Sequence, residues 1–366
     1  ALVARQDYSV GQQIETTVGT VIGQASKWKP EVSEYIGIPF AQPPVGDLRW
    51  AAPKSMEKAS TPIDATVYGD SCAESASRLS AGNSSAPQNI GAAENQMSED
   101  CLYLNLWTKP QAGEKKKAVL IWIYGGGFVV GSAANEVYNG ALLAEEQDVI
   151  VASMNYRISV LGFPGVGLPE KNLGLLDQRA AIEWLRDNVE KFGGDPKRMT
   201  IFGQSAGGYS VDTYSYAYTN DPIVAGLIPQ SGTAPATPTP VVVDKNGNTE
   251  AKVKTWSDLS VALNCGEVTA DDVSKTLACM RGKPLETVMN ATEPRGNQQA
   301  ARAWGPGYDN KTFFPDIAER RESGEFIQVP VLVGNTNNEL ATSRGILGSD
   351  DNKKQNCGSA VAAQYR

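Results

Sequence analysis

The chain has 366 residues, 41% of them hydrophobic, and its 33 Lys and Arg against 41 Asp and Glu leave a formal charge of -8. That is enough apolar material for a large buried core, which argues against disorder as the overall state. The pI near 4.9, with no basic tract longer than Lys115-Lys116-Lys117, argues against nucleic acid or an anionic membrane as the main partner and for a small uncharged substrate. No apolar run approaches the roughly 18 residues of a membrane span, and the chain begins at Ala1 rather than Met, as a processed mature chain does. There is no histidine, so these residues contain neither a His-ligated metal site nor a complete Ser-His-acid triad.

In chain order, Thr17–Ile22 and Tyr35–Ile38 read as two antiparallel strands paired at a sheet edge, before the turn-rich Pro43-Pro44-Val45-Gly46. Residues 73–100, rich in Ser, Ala, Asn and Gly, read as one long loop. Ala118–Ile123, Val149–Ala152, Met199–Phe202, Gly226–Ile228 and Val331–Val333 are short, unalternating apolar runs, as expected of parallel strands covered on both faces. Between the second and third, Ile182, Leu185, Val189 and Phe192 recur at helical spacing, and Gly193-Gly194 marks the stop. Strand-helix-strand order predicts an α/β architecture. Residues 233–250 and 335–357 read as further loops, and no repeat or linker divides the chain, so a single domain over 1–366 is expected.

The five cysteines, at 72, 101, 265, 279 and 357, include no Cys-x-x-Cys pair. Disulfides between neighbours, Cys72 to Cys101 and Cys265 to Cys279, leave Cys357 free or bonded to a cysteine outside this sequence. Five buried free thiols in a cytosolic enzyme are the alternative. Sequons at Asn83, Asn290 and Asn310 agree with the disulfides in pointing to glycosylation and a secreted protein.

The sharpest motif is Gly203-Gln204-Ser205-Ala206-Gly207, set between a predicted strand and a predicted helix. It is the Gly-x-Ser-x-Gly pattern of a nucleophile elbow, where a tight turn leaves no room for side chains beside the serine. The alternative is a glycine-rich turn with an ordinary surface serine. A second cluster, Gly125-Gly126-Gly127, directly follows the strand Ala118–Ile123 and Tyr124. In an esterase such a loop aims backbone N–H groups at the developing oxyanion. Phosphate binding is the competing reading, but neither a Gly-Lys-Ser/Thr ending nor a Gly-x-Gly-x-x-Gly fingerprint is present.

These motifs, together with Tyr35-Ile-Gly-Ile-Pro-Phe-Ala41, Pro43-Pro-Val-Gly-Asp-Leu-Arg49, Ser98-Glu-Asp-Cys-Leu-Tyr-Leu-Asn-Leu-Trp107, Trp122-Ile-Tyr-Gly-Gly-Gly-Phe128, Asn155-Tyr-Arg157, Asn172-Leu-Gly-Leu-Leu-Asp-Gln-Arg179 and Phe192-Gly-Gly-Asp-Pro196, give a chain that strongly resembles the type-B carboxylesterase family, cholinesterases and secreted fungal esterases and lipases included. The resemblance implies an α/β-hydrolase fold, with a central, mostly parallel sheet flanked by helices. It implies Ser205 as nucleophile and the N–H groups of Gly126, Gly127 and Ala206 as the oxyanion hole. It also supports the neighbour disulfides and implies an Arg49–Glu99 ion pair at the base of the long loop. The family's acid, a Glu in Gly-x-x-x-x-Glu, falls on Glu339 of Gly334–Glu339, although Leu340 stands where Gly usually follows. Ser231 of Gln230-Ser231-Gly232 is expected to be buried beside the site.

The family's catalytic histidine lies in a C-terminal region, and no segment up to Arg366 resembles it. Two readings follow. The chain belongs to a serine ester hydrolase, a general esterase or lipase on neutral acyl esters, whose histidine lies on further C-terminal polypeptide, continuous or cleaved and associated. Alternatively it is a noncatalytic cholinesterase-like binding protein that has lost the histidine. The first implies neither metal nor organic cofactor, and the intact elbow, glycine loop and Glu339 favour it. Residues 73–100 contain no Trp, Tyr or Phe, so the cation–π contact to a quaternary ammonium that cholinesterases make from this loop is not expected.

Overall fold

The computed structural model describes residues 9–74, 96–110, 115–165, 168, 170–234, 250–269, 273–292 and 304–336. Its strands are β1 Ile14–Thr16, β2 Gly19–Ile22, β3 Gln24–Ala25, β4 Ser33–Pro39, β5 Ile63–Asp64, β6 Ser71–Cys72, β7 Met97–Ser98, β8 Tyr103–Thr108, β9 Lys117–Ile123, β10 Ile150–Met154, β11 Gly194–Gln204 and β12 Gly226–Gln230. The α-helices are α1 Ala141–Gln147, α2 Ser159–Gly162, α3 Leu173–Asn188, α4 Ala206–Ala217, α5 Glu250–Ala262, α6 Leu277–Arg281, α7 Leu285–Ala291 and α8 Ile317–Ser323.

Seven strands form the main sheet in the order β12-β11-β9-β10-β8-β4-β3. The first three pairings are parallel and the last three antiparallel. The parallel half holds four of the five apolar runs expected to be parallel, in β9, β10, β11 and β12, and a helix follows each of the first three along the chain, as a parallel crossover requires. All five residues of β10 are buried. On α3 the predicted stripe faces the core, with Ile182 and Leu185 fully buried; a 3-10 turn, Val189–Phe192, then ends at Gly193, where φ is +87°.

One expectation about strand pairing fails and another holds only in part. Residues 19–22 pair with β1, and β4 pairs with β8 and β3, so the two N-terminal segments lie in different sheets. Both carry strand-like residues and both have two partners, β2 lying between β1 and β5 in a small three-stranded sheet and the almost wholly buried β4 between β8 and β3 in the main one, so local sequence does not select between the two sheets. The run Val331–Val333 does lie parallel to β12, through the bridges Leu227 to Val331 and Gln230 to Gly334 and hydrogen bonds from Leu227 N–H to the Pro330 carbonyl (3.1 Å) and from Leu332 N–H to the Leu227 carbonyl (2.9 Å), but as bridges rather than a full strand, with Val331 and Leu332 42% and 66% exposed.

The disulfides are Cys72–Cys101 and Cys265–Cys279, as neighbour pairing predicts, while Cys357 lies outside the described residues. At the base of the first bridge Arg49 meets Glu99 in a buried bidentate pair, Nε to Oε1 at 2.6 Å and Nη2 to Oε2 at 2.5 Å. Arg49 Nη1 also donates to the carbonyls of Met280, Arg281 and Lys283, which ties the bridge to the α6 region. There a second core gathers Trp50, Trp256, Leu259, Met280 and Trp304. Its helices were not anticipated, and α5 begins at Glu250, inside the stretch read as a loop.

Candidate active site

Ser205 stands between β11 and α4 with φ +56° and ψ -120°, a conformation that an L-residue holds at a cost of about 1–3 kcal/mol. Bonds on either side hold it there: the Ser205 N–H donates to the carbonyl of Gln230 on β12 (2.9 Å), and the Ser205 carbonyl accepts from Tyr209 N–H (2.8 Å). Gly207 makes the turn sterically feasible. A Cβ there would sit 2.0 Å from the Ile123 carbonyl oxygen, because the first turn of α4 rests directly on the end of β9. Ser205 is half-buried, its hydroxyl carried at the parallel strands' C-terminal ends, where open α/β sheets bind ligands.

The same end of β9 launches the second glycine cluster. Gly125 lies against the nucleophile; a Cβ on it would be 3.1 Å from Ser205 Cβ. Gly126 takes φ +122°, and a Cβ there would be 2.0 Å from the Val130 carbonyl oxygen. Its own carbonyl accepts from the N–H groups of Val129 and Val130, both at 3.2 Å. The backbone therefore doubles back after Gly127 and Phe128, whose φ values are +65° and +64°. Ala206 opens α4, where helix N–H groups have no intrahelical acceptor and the positive end of the helix dipole favours negative charge. A glycine loop and a helix N-terminus thus flank one serine, the chemistry a carbonyl oxygen gaining negative charge requires.

Asn155-Tyr156-Arg157, which the sequence marks only by family likeness, and the nearby Ser159 hold the glycine loop from behind. Tyr156 Oη donates to the Tyr124 carbonyl at 2.8 Å, and Tyr124 Oη donates to the Tyr156 carbonyl at 3.1 Å; the two rings stack with centroids 4.4 Å apart. Ser159 N–H donates to the Phe128 carbonyl at 2.6 Å, and Asn155 Oδ1 accepts from Ala133 N–H at 2.8 Å. Arg157 fastens the segment to α3 through Asp177. No motif signals these roles, because most of the acceptors are backbone carbonyls that any residue supplies. The Phe128 ring meets Phe163 and Tyr209 edge-on, with centroids 5.1 and 5.7 Å apart.

Ser231 follows β12 with φ +49° and is half-buried rather than buried. Its N–H donates to the Gly334 carbonyl at 2.8 Å. The first residue of Gly334–Glu339 is thus one chain away from the strand that holds Ser205; Glu339 itself lies outside the described residues, as does Asn83. Asn290 on α7 and Asn310 are both exposed. No described helix is long and apolar enough to cross a membrane.

Residues 10–363 match the sequence model of the carboxylesterase family. The chain is 36% identical over 333 residues to the chlorogenic acid esterase of Aspergillus niger, covering 88% of this chain and 62% of that protein. It is 35% identical to the acetylcholinesterase of Bungarus fasciatus, covering 88% and 52%, and 32% identical to acetylcholinesterase 1 of Caenorhabditis elegans, covering 87% and 50%. The chain therefore spans half to three-fifths of these relatives' length.

Proposed function

The chain belongs to the carboxylesterase family, and from that premise we propose that the natural protein hydrolyses carboxylic esters with Ser205 as nucleophile. The observation that carries this reading is the strained conformation of Ser205 at the start of α4, with Gly125 against its side chain. Ser205 Oγ bonds to the ester carbonyl carbon as its proton passes to an imidazole. The carbonyl oxygen, now negative, accepts hydrogen bonds from the N–H groups of Gly126, Gly127 and Ala206. Collapse of the tetrahedral intermediate breaks the ester C–O bond, and the imidazolium proton leaves with the alcohol; water repeats the sequence to free the acid from the acyl-enzyme. Glu339 is the residue assigned to orient the imidazole and stabilise its positive charge.

The 366 residues hold no histidine, so the imidazole is assigned to polypeptide outside them, with Cys357 available for a bond to it. A lysine would need its pKa, ordinarily near 10.4, strongly depressed to serve, and none stands in a motif that would place it beside Ser205. The substrate class is neutral acyl esters, since the bridged loop offers no aromatic residue to a quaternary ammonium; this sides with the esterase among the relatives rather than the acetylcholinesterases. Two disulfides and the sequons at Asn83, Asn290 and Asn310 support secretion as a glycoprotein.

A fluorophosphonate probe should label Ser205 in the natural protein, and Ser205→Ala should lower turnover of a neutral ester by about a millionfold. Undiminished hydrolysis by that variant would overturn the assignment. The absence of histidine favours one rival, a binding protein without catalysis, and a natural protein inert to both probe and ester would establish it. Robust Ser205-dependent hydrolysis by residues 1–366 alone would refute the external histidine, and faster turnover of choline esters than of matched neutral esters would refute the substrate class.

A further inference from the structure

We infer that Tyr156 is a positioning residue for the oxyanion loop: its buried hydroxyl holds the carbonyl of Tyr124 and so orients the peptide that leads into Gly125-Gly126-Gly127. The inference rests on the proposed ester hydrolysis. A peptide group is planar, so fixing the Tyr124 carbonyl also fixes the Gly125 N–H and the point from which the three glycines depart. Glycines have the most conformational freedom to lose and no side chains with which to hold themselves. Donors that must reorganise during the reaction lose much of their advantage. An outside clamp is therefore needed where this loop begins.

The Tyr156 hydroxyl supplies it. The hydrogen bond is 2.8 Å long, both tyrosines are fully buried, and their stacked rings and reciprocal bond set the geometry from both sides. The same Tyr124 carbonyl oxygen would be 2.9 Å from a Cβ on Gly207, so the clamped peptide also lies directly against the elbow helix. Tyr156 is kept in place by its neighbour Arg157, which is paired to Asp177. Burial raises the Tyr156 pKa well above 10, so its hydroxyl stays protonated, and able to donate, at any pH at which the protein works.

The test uses the natural full-length protein with Tyr156→Phe, a change that removes one oxygen and leaves the ring stack and the Tyr124 hydroxyl bond in place. Three quantities are measured: kcat and KM for a neutral ester, the affinity of a trifluoromethyl ketone that adds reversibly to Ser205, and the thermal midpoint. The expected result is a kcat lowered roughly tenfold, the change of one hydrogen bond's worth of transition-state stabilisation, with KM within about twofold and ketone affinity falling in proportion to kcat/KM. Tyr214→Phe is the control. It also removes a buried hydroxyl that donates to a backbone carbonyl, that of Pro222 at 2.8 Å, and that accepts from Arg179 Nη1 at 2.6 Å, but it lies in the last turn of α4 with no bond to the loop, and its kcat should match the parent's. Unchanged kcat in Tyr156→Phe, a loss confined to KM, or an equal loss in Tyr214→Phe would overturn the inference while Ser205 dependence stood. Hydrolysis unaffected by Ser205→Ala would instead remove the reading beneath it.

Discussion

Replacing Asp177 by Asn should destabilise the protein by about 3–5 kcal/mol, the range for breaking a buried ion pair from one side. Asp177 has no exposed surface and Arg157 only 3%. The carboxylate accepts Arg157 Nε at 2.8 Å, Nη2 at 2.7 Å and the Arg157 N–H at 3.0 Å, while Nη1 donates to the Ala51 carbonyl. Asn keeps the volume but removes the charge and replaces one accepting oxygen by an amide donor that faces the guanidinium, leaving a buried cation with the Ala51 carbonyl and one neutral amide oxygen. With an unfolding entropy of about 2.1 cal/mol/K per residue over 366 residues, the loss corresponds to a thermal midpoint roughly 4–7 °C lower. Calorimetry on the single variants Asp177→Asn, Asp177→Leu and Arg157→Met, and on the double variant Arg157→Met with Asp177→Leu, forms the assay. The double variant should recover much of the loss, because the desolvation of both charges disappears with them. A midpoint change below about 1 °C in Asp177→Asn, or strictly additive losses in the double variant, would refute the reasoning.

Gly207→Ala should prevent the elbow from forming, since the new Cβ would meet the Ile123 carbonyl oxygen at 2.0 Å and neither backbone can move without breaking the β9–β11 pairing. Fluorophosphonate labelling of Ser205 should vanish, and normal labelling would show that the contact relaxes. Above about pH 10 the fold should lose stability. Burial raises the pKa of Tyr35, Tyr103, Tyr124, Tyr156, Tyr214 and Tyr218 and pushes Tyr68 up to about 12. The neutral phenols therefore contribute stability that is fully present below the unfolded pKa near 10 and is lost as pH rises through the folded values, because the unfolded chain ionises first. Tyrosinate absorbance should appear together with unfolding; independent titration of these side chains near pH 10 in the folded protein would contradict it.

The parallel strands, α3 and the elbow were legible in the sequence because each depends on neighbours in the chain: an apolar run, a spacing of three or four, a glycine where a turn leaves no room. Two disulfides followed from cysteine order, and the Arg49–Glu99 pair from family likeness. Where partners are distant, local patterns were silent or misleading. β2 and β4 are both strand-like, yet nothing in either specifies that β4 pairs with β8 and β3 rather than with β2. The run Val331–Val333 lies parallel to β12 as its apolar residues suggest, yet only as bridges, with Val331 and Leu332 largely exposed, which its own residues do not announce. The α5–α7 core depends on Trp50 and Trp304 meeting Trp256 from far along the chain.

At the site, the sequence by itself singled out the candidate residues, since the elbow motif around Ser205 and the glycines beside it reflect steric limits that act within a few residues. It also determined that no imidazole comes from these 366 residues. Only the tertiary structure decided how the loop beside the serine is held. Tyr156, Ser159 and Arg157 grip carbonyls and a carboxylate at Tyr124, Phe128 and Asp177, bonds that span 20 to 32 positions and exist only once β9, β10 and α3 have packed together.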